Sequence, residues 1–216
     1  MNEESSRQEE NFSLEALRRG NRAEFARVVK AYSDPIYRLA LKMLRDPQDA
    51  EDILQETFLK ALHGFADFKG NSKISTWLYR IATNQALMHL RSRKDEQISM
   101  HKTISTDEGQ AYNPVNLVDW CCLPEEELLS SEAINYLDRA VDLLSDKLRA
   151  VFILRDIQDL STAETAEVLD ISEGAVKTRL SRARLRLREL LSGYYGQKLS
   201  SSPIADQQSG QEAITG

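Results

Sequence analysis

The sequence predicts an all-α protein, two small helical domains joined by a flexible acidic linker, and three observations carry the prediction. Apolar residues recur at three- and four-residue spacing through most of residues 12–94 and again through 133–191, the period of helices with one face in a core. Breakers are few, five prolines and nine glycines in 216 residues, so little of either block is given to turns. Between the blocks, Asp95 to Glu132 has no sustained period and carries nine acids against the single base Lys102, a charge of −8. Such a segment stays solvated as a linker.

Composition narrows the function classes. The chain is 41% apolar, enough for a real core. No run of about 18 apolar residues occurs, and the opening "MNEESSRQEEN" is polar and acidic where a secretory signal would be basic and then apolar. A cytoplasmic protein with no direct membrane insertion is expected. The only cysteines, Cys121 and Cys122, are neighbours, a spacing that suits neither an ordinary disulfide nor a two-pair zinc site. No metal, cofactor or small-molecule substrate is expected. The whole chain carries −6, so everything outside the linker sums to +2, and the acidic total conceals two blocks that are not acidic as a pair.

The elements follow in order. Residues 1–19 are a mostly polar extension. "DPQDAEDILQETFLKALHGF" opens with Asp46 as N-cap and Pro47 at the first helical position. Ala50, Ile53, Leu54, Phe58, Ala61 and Phe65 form its buried stripe, and Asp49, Asp52, Glu56, Lys60 and His63 stand opposite with Leu59 among them and Gln55 at the edge. A Leu amid carboxylates suits a partner surface, while a plain solvated face fits the same pattern. A catalytic metal held by Asp49, Asp52 and Glu56 would need a second ligand-rich segment, and none is apparent.

Next, "FADFKGNSKISTWLYRIATNQALMHLRSRK" interleaves Phe68, Trp77 and Tyr79 with Lys69, Lys73, Arg80, Arg91, Arg93 and Lys94, and Gly70-Asn71 marks a loop before a helix. Aromatic faces stack on unpaired bases while cations hold the backbone. Trp77 shares a face with Ile74, Leu78 and Ile81, which assigns its ring chiefly to the core. Arg80, Thr83, Asn84, Leu87 and Arg91 lie opposite, better placed to touch DNA.

In the second block, Ser161 with Glu164 makes a capping box opening a short helix that ends near Leu169. Asp170 to Ser172 is a tight turn, with Ser172 the N-cap of a second helix. Two helices about three residues apart suggest a helix-turn-helix. The second holds "KTRLSRARLRLR", six bases and no acid. At about 100° per residue, Val176, Leu180, Ala183, Leu187 and Leu190 share a core stripe. Gly174, Thr178, Ser181, Arg182 and Leu185 lie opposite, flanked by Lys177, Arg184 and Arg188 on one side and Arg179 and Arg186 on the other. A small polar centre with basic borders lets a helix approach base edges while its flanks meet phosphates. Charges that merely favour the helix dipole would concern only the last turn. The Ser-, Gln- and Gly-rich residues 192–216 are expected to be a disordered tail.

Taken together, "DAEDILQETFLKAL", "FKGNSKISTWLYRIATNQALMHLRSR" and "LSTAETAEVLDISEGAVKTRLSRARLRLRELL" resemble, in order and spacing, a bacterial RNA polymerase sigma factor of the sigma-70 family, extracytoplasmic-function subgroup. The resemblance implies a sigma region 2 helical bundle over 20–94 and a sigma region 4 helix-turn-helix over 133–191, on either side of the linker 95–132. It implies that Asp49, Asp52, Gln55, Glu56 and Leu59 bind the clamp of the largest subunit of core RNA polymerase. The loop Phe68, Lys69, Gly70, Asn71, Ser72 and Lys73, with Arg80, Asn84 and Arg91 of the following helix, would recognise and melt the minus-ten element. Lys177, Thr178, Arg179, Ser181, Arg182, Arg184 and Arg186 would engage the minus-thirty-five element. The implied protein has no catalytic activity. It directs promoter-specific initiation, in a stress or envelope response, under an anti-sigma factor. The rival readings are a helix-turn-helix regulator that binds duplex operators without polymerase, and a metal-dependent nuclease using the acidic helix. The linker, with Trp120-Cys121-Cys122, and the polar tail depart from the family pattern.

Overall fold

The computed structural model describes residues 12–100 and 131–201, with side chains over 12–94 and 135–192. Cys121, Cys122 and most of the acidic segment lie outside the described residues. Among the described residues every regular element is helical.

Helix α1 (Leu14–Arg18) is opened by Ser13, whose side chain accepts from the Ala16 N–H. Helix α2 (Arg22–Leu44) starts at Asn21, whose side chain accepts from the N–H groups of Ala23 and Glu24, and stops at Arg45 in the left-handed region with φ 65°. Its buried stripe, Val28, Tyr32, Ile36, Leu39, Ala40, Met43 and Leu44, follows the helical period. One residue on, Asp46 caps α3 (Pro47–Gly64), accepting from Gln48 and Asp49, with Pro47 at the start. Pro lacks only an N–H that would be orphaned there. The buried side of α3 includes Ala50, Ile53, Phe58 and Ala61 as expected, and also Thr57.

Helix α4 (Ile74–Met100) packs on both α2 and α3. An aromatic cluster locks their meeting point. Phe65 is fully buried and lies edge-on to Phe25, Phe68 and Trp77 at centroid distances of 6.1, 6.1 and 4.9 Å. Burying one such ring is worth about 2–3 kcal/mol, with about 1 kcal/mol more for each well-set aromatic pair. Gly64 makes the approach possible, because a Cβ there would stand 2.9 Å from Trp77 Cζ2.

The later elements are α5 (Ser131–Asp142), α6 (Asp146–Phe152), a π-helical turn (Ile153–Ile157), α7 (Thr162–Leu169) and α8 (Glu173–Ser201). Packing does not follow the two sequence blocks. One compact unit joins the described residues of Met1–Glu108 with Ser145–Ala183, and a second joins those of Gly109–Leu144 with Arg184–Gly216. In the first, α7 packs chiefly on α4, and α6 and the π turn lie against α2. Ile153, Leu154, Leu160 and Val168 thereby enter the same core as Ile36, Met43 and Leu78. In the second, Ala140, Val141, Leu144 and Leu187 are buried while Leu137 and Leu143 are exposed.

Two helices outrun their expected ends. Helix α4 continues six residues past Lys94, and α8 ten past Leu191, so the first part of the supposed disordered tail is helical. Neither stretch contains proline, the residue that breaks a helix most sharply. Composition alone marked these stretches as linker and tail, while the helix propagates until something stops it.

Candidate nucleic-acid and partner interfaces

Three surfaces carry the residues singled out from the sequence. The first is the outward side of α3. Asp52, Gln55, Glu56 and Leu59 are exposed there, Leu59 at 57%. Leu62 beside them is 43% exposed and extends the apolar strip by one turn, a residue the sequence reading passed over although it stands three places from Leu59. Lys60 pairs with Glu56 at 3.2 Å, and His63 Nδ1 lies 2.8 Å from the Leu59 carbonyl. Asp49 differs from the rest. It is half-buried, accepts from Arg93 at 2.8 Å and stands 3.5 Å from His89 Nε2, so much of its charge is spent within the bundle.

The second surface is the loop before α4. Lys69, Gly70 and Asn71 are exposed and Ser72 is half-buried. Gly70 has φ 77°, a left-handed conformation that costs other residues about 1–2 kcal/mol. Phe68 points the other way: it is 8% exposed, its ring lies tilted against Trp77 with centroids 4.7 Å apart, and its carbonyl accepts from Arg18 Nε at 2.9 Å. Its ring therefore anchors the loop. Trp77, assigned chiefly to the core, is half-buried in the same cluster. Lys73 reaches Glu164 of α7 at 3.0 Å.

On α4 itself, Arg80, Asn84 and Arg91 are exposed as expected, and Met88 at 61% joins their stripe. Thr83 was expected on that open side and is instead fully buried. The cause is tertiary: α4 packs on α2, α3 and α7, so more of its circumference is covered than its own period shows.

The third surface is the helix-turn-helix. Both halves of the capping box form: Ser161 Oγ accepts from the Glu164 N–H at 3.1 Å, and the Ser161 N–H donates to Glu164 at 2.8 Å. Burial raises the Glu164 pKa, but the Ser161 N–H, the Ser161 hydroxyl and the Lys73 ammonium outweigh it, and the net result lies below the ordinary 4.5. Helix α7 ends at Asp170 with φ 53°, and the Ile171 N–H returns to the Ala166 carbonyl at 3.1 Å. Ser172 Oγ then accepts from the Ala175 N–H at 3.2 Å to open α8. On α8, Val176, Ala183 and Leu187 are buried. Lys177, Thr178, Ser181, Arg182, Arg184 and Arg186 are exposed, and Arg179 is half-buried. Thr178 Oγ1 donates to the Gly174 carbonyl at 2.9 Å, and Arg186 pairs with Glu189 at 3.0 Å.

One polar residue of consequence escaped the sequence reading. Arg149 of α6 is 5% exposed, and its Nη1 donates to the Met43 carbonyl at 2.8 Å. Within "DKLRAVFILRDI" it looks like one solvated base among several, and nothing local distinguishes it.

Two family descriptions match this chain, "Sigma-70 region 2" over residues 28–96 and "Sigma-70, region 4" over residues 134–187. Among curated proteins it is 37% identical to the ECF RNA polymerase sigma factor SigW of Bacillus subtilis, across 82% of this chain and 94% of that one. It is 30% identical to the RNA polymerase sigma-H factor of Pseudomonas aeruginosa, across 79% and 88%. Among solved structures it resembles the sigma factor RpoE of Bartonella quintana in complex with the anti-sigma factor NepR, with a TM-score of 0.60 at 25% identity, across 78% of this chain and 96% of that one. CnrH in complex with the cytosolic domain of CnrY shares the fold, with a TM-score of 0.59 at 23% identity, across 83% and 95%.

Proposed function

The chain belongs to the sigma-70 family of RNA polymerase sigma factors, in its extracytoplasmic-function group, and from that premise we propose how its surfaces divide the work. It is a sigma factor that binds core RNA polymerase, directs promoter-specific initiation and answers to an anti-sigma factor. Such factors act by binding and positioning, and we assign this chain no catalysis of its own. It works in the cytoplasm, a reading supported by the absence of any membrane-spanning helix among the described residues.

The observation that carries the assignment is a division of charge between two exposed helix faces. Carboxylates surround an apolar strip on α3, and bases border a small polar centre on α8. Asp52, Gln55, Glu56, Leu59 and Leu62 dock on the polymerase clamp, where the apolar strip supplies affinity and the carboxylates supply orientation and on-rate. Asp49 positions α3 against α4 through Arg93 and contributes at the edge. Lys69, Gly70, Asn71, Ser72 and Lys73 receive the minus-ten element, with Arg80, Asn84 and Arg91 along the opened strand. Phe68 holds that loop in place from beneath. Thr178, Ser181 and Arg182 meet base edges of the minus-thirty-five element, and Lys177, Arg179, Arg184 and Arg186 meet its phosphates.

Run-off transcription with purified core enzyme on genomic promoter fragments tests the whole reading. The full chain should yield discrete promoter-dependent transcripts that core enzyme alone does not. Duplex binding with no transcript in the presence of core enzyme would assign the chain instead to operator-binding regulators.

A further inference from the structure

Residues 1–19 read from the sequence as a mostly polar extension, and the region 2 match begins only at residue 28. In the structure α1 lies against the loop assigned to the minus-ten element. Arg18 Nε donates to the Phe68 carbonyl at 2.9 Å. A Cβ added at Gly70 would meet Leu14 Cδ1 at 3.2 Å, so Leu14 lies against the bare face of that glycine. We infer that α1 is a brace for this loop, with Arg18 and Leu14 as positioning residues that fix the backbone presented to a minus-ten base. The inference rests on the functional reading above for what the loop binds, and on these contacts for what holds it.

A helix of five residues has no stability of its own, so α1 is ordered by what it touches. Leu17 is 4% exposed and belongs to the core that holds Val28 and Phe68. The Ser13 N–H donates to Glu24 Oε1 at 2.7 Å, and Arg27 pairs with the same carboxylate at 2.9 Å. The Arg27 guanidinium stands 5.4 Å from the centre of the Phe12 ring, which lies 6.1 Å from that of Tyr32. At the other end Gly20 takes φ 75°. Its N–H returns to the Leu17 carbonyl, and the Asn21 N–H to the Ala16 carbonyl, both at 3.0 Å. That paired closure suits glycine, because left-handed φ strains a residue with a Cβ. It folds α1 back onto α2. The brace is thus fixed to the bundle on one side and to the loop on the other.

The loop needs such a fixture because its two requirements conflict. Lys69, Gly70 and Asn71 are exposed to meet a base, and exposed backbone keeps a freedom that binding must remove. The Phe68 ring is anchored against Phe65 and Trp77, which fixes one side chain but leaves the peptide that follows it able to turn. Arg18 grips the carbonyl of that peptide, at the point where the chain leaves the core. Leu14 then limits the space open to Gly70, the residue type with the widest range of backbone conformations. A loop held in its binding conformation discriminates between bases, since it cannot reshape itself around the wrong one.

The test uses holoenzyme assembled from core polymerase and the full chain. Its probe is a single-stranded oligonucleotide carrying the non-template minus-ten sequence of a promoter mapped by run-off transcription, together with its single-base variants. The quantity read is the ratio of affinities for the preferred and the substituted base, at a temperature where circular dichroism shows each variant folded. Arg18→Met and Leu14→Ala should each lower that ratio about three- to tenfold. Arg18→Lys keeps a donor and should recover most of the loss, while affinity for core enzyme stays unchanged in all three. A merely structural role would lower the urea midpoint and leave the ratio alone. Wild-type selection in both Arg18→Met and Leu14→Ala would overturn the brace. So would a loss uniform over all oligonucleotides, which would mark Arg18 as a phosphate contact. Asn71→Ala is the control within the loop itself. Selection lost there and kept in the α1 variants refutes the brace alone, whereas selection kept in Asn71→Ala removes the minus-ten assignment of the loop and with it the brace's part in reading.

Discussion

Replacing Arg182 by Ala, compared with replacing Arg186 by Ala, asks whether α8 is rotated in the groove as its exposed face implies. Arg182 is exposed beside Thr178 and Ser181, the small polar centre of that face. A side chain reading a base edge is worth about 1–3 kcal/mol of discrimination, so Arg182→Ala should weaken binding about 5- to 150-fold and relax selection at one position of the minus-thirty-five element. Arg186 stands on the flank and already pairs with Glu189 at 3.0 Å. Its removal deletes at most one phosphate contact, which lowers the salt slope by about 0.9. The Glu189 carboxylate neutralises part of that charge beforehand, so the observed change should fall somewhat short of this value. The helix itself loses only about 0.2–0.5 kcal/mol with the ion pair, too little to mimic a recognition defect. Competition binding of the polymerase holoenzyme over a library of single-base promoter variants, repeated at several salt concentrations, separates the two effects. A uniform loss for Arg182→Ala with a base-specific loss for Arg186→Ala would refute the orientation.

Other surfaces yield equally direct expectations. Asp52→Arg with Glu56→Arg should abolish co-purification with core polymerase while leaving helix content unchanged, because both side chains are exposed and reversal adds repulsion at the interface; retained co-purification would exclude this face. Ser161→Ala removes the side-chain half of the α7 capping box and should cost about 0.5–2 kcal/mol in urea unfolding. The Ser13 N–H and then Arg27 hold the Glu24 pKa below 4.5, and Glu164 is net lowered as well. Carboxylates with depressed folded values stabilise fully above the unfolded value and lose that contribution as pH falls through the folded one. Stability should therefore drop below about pH 4.5, and Glu164→Gln should flatten that acid limb in thermal melts. Gly70→Ala places a Cβ at φ 77° and 3.2 Å from Leu14 Cδ1 and should cost about 1–2 kcal/mol; a raised urea midpoint would mean the loop tolerates another conformation.

Much of this protein was legible residue by residue. Helix starts at Asp46, Ser161 and Ser172 were readable because a cap is a contact between side chain and backbone two or three residues apart. The buried stripe of α3 and the exposed face of α8 were readable because helical period alone decides which residues share a side. Order and spacing of the motifs carried the family, and with it the expectation of two promoter contacts on one chain.

The remainder depended on which surfaces meet. Thr83 is expected in open solvent because the period of α4 has no knowledge of the helices that pack on it, and only the tertiary structure buries it. The Phe68 ring could have faced a base or a core until Phe65 and Trp77 enclosed it. Arg149 reads as an ordinary surface cation, and its burial depends on a carbonyl 106 positions earlier in the chain. Local sequence determined the helices, their caps and their faces, since those follow from interactions within a turn or two. Tertiary structure decided which faces stay open, because burial depends on contacts between residues far apart in the chain.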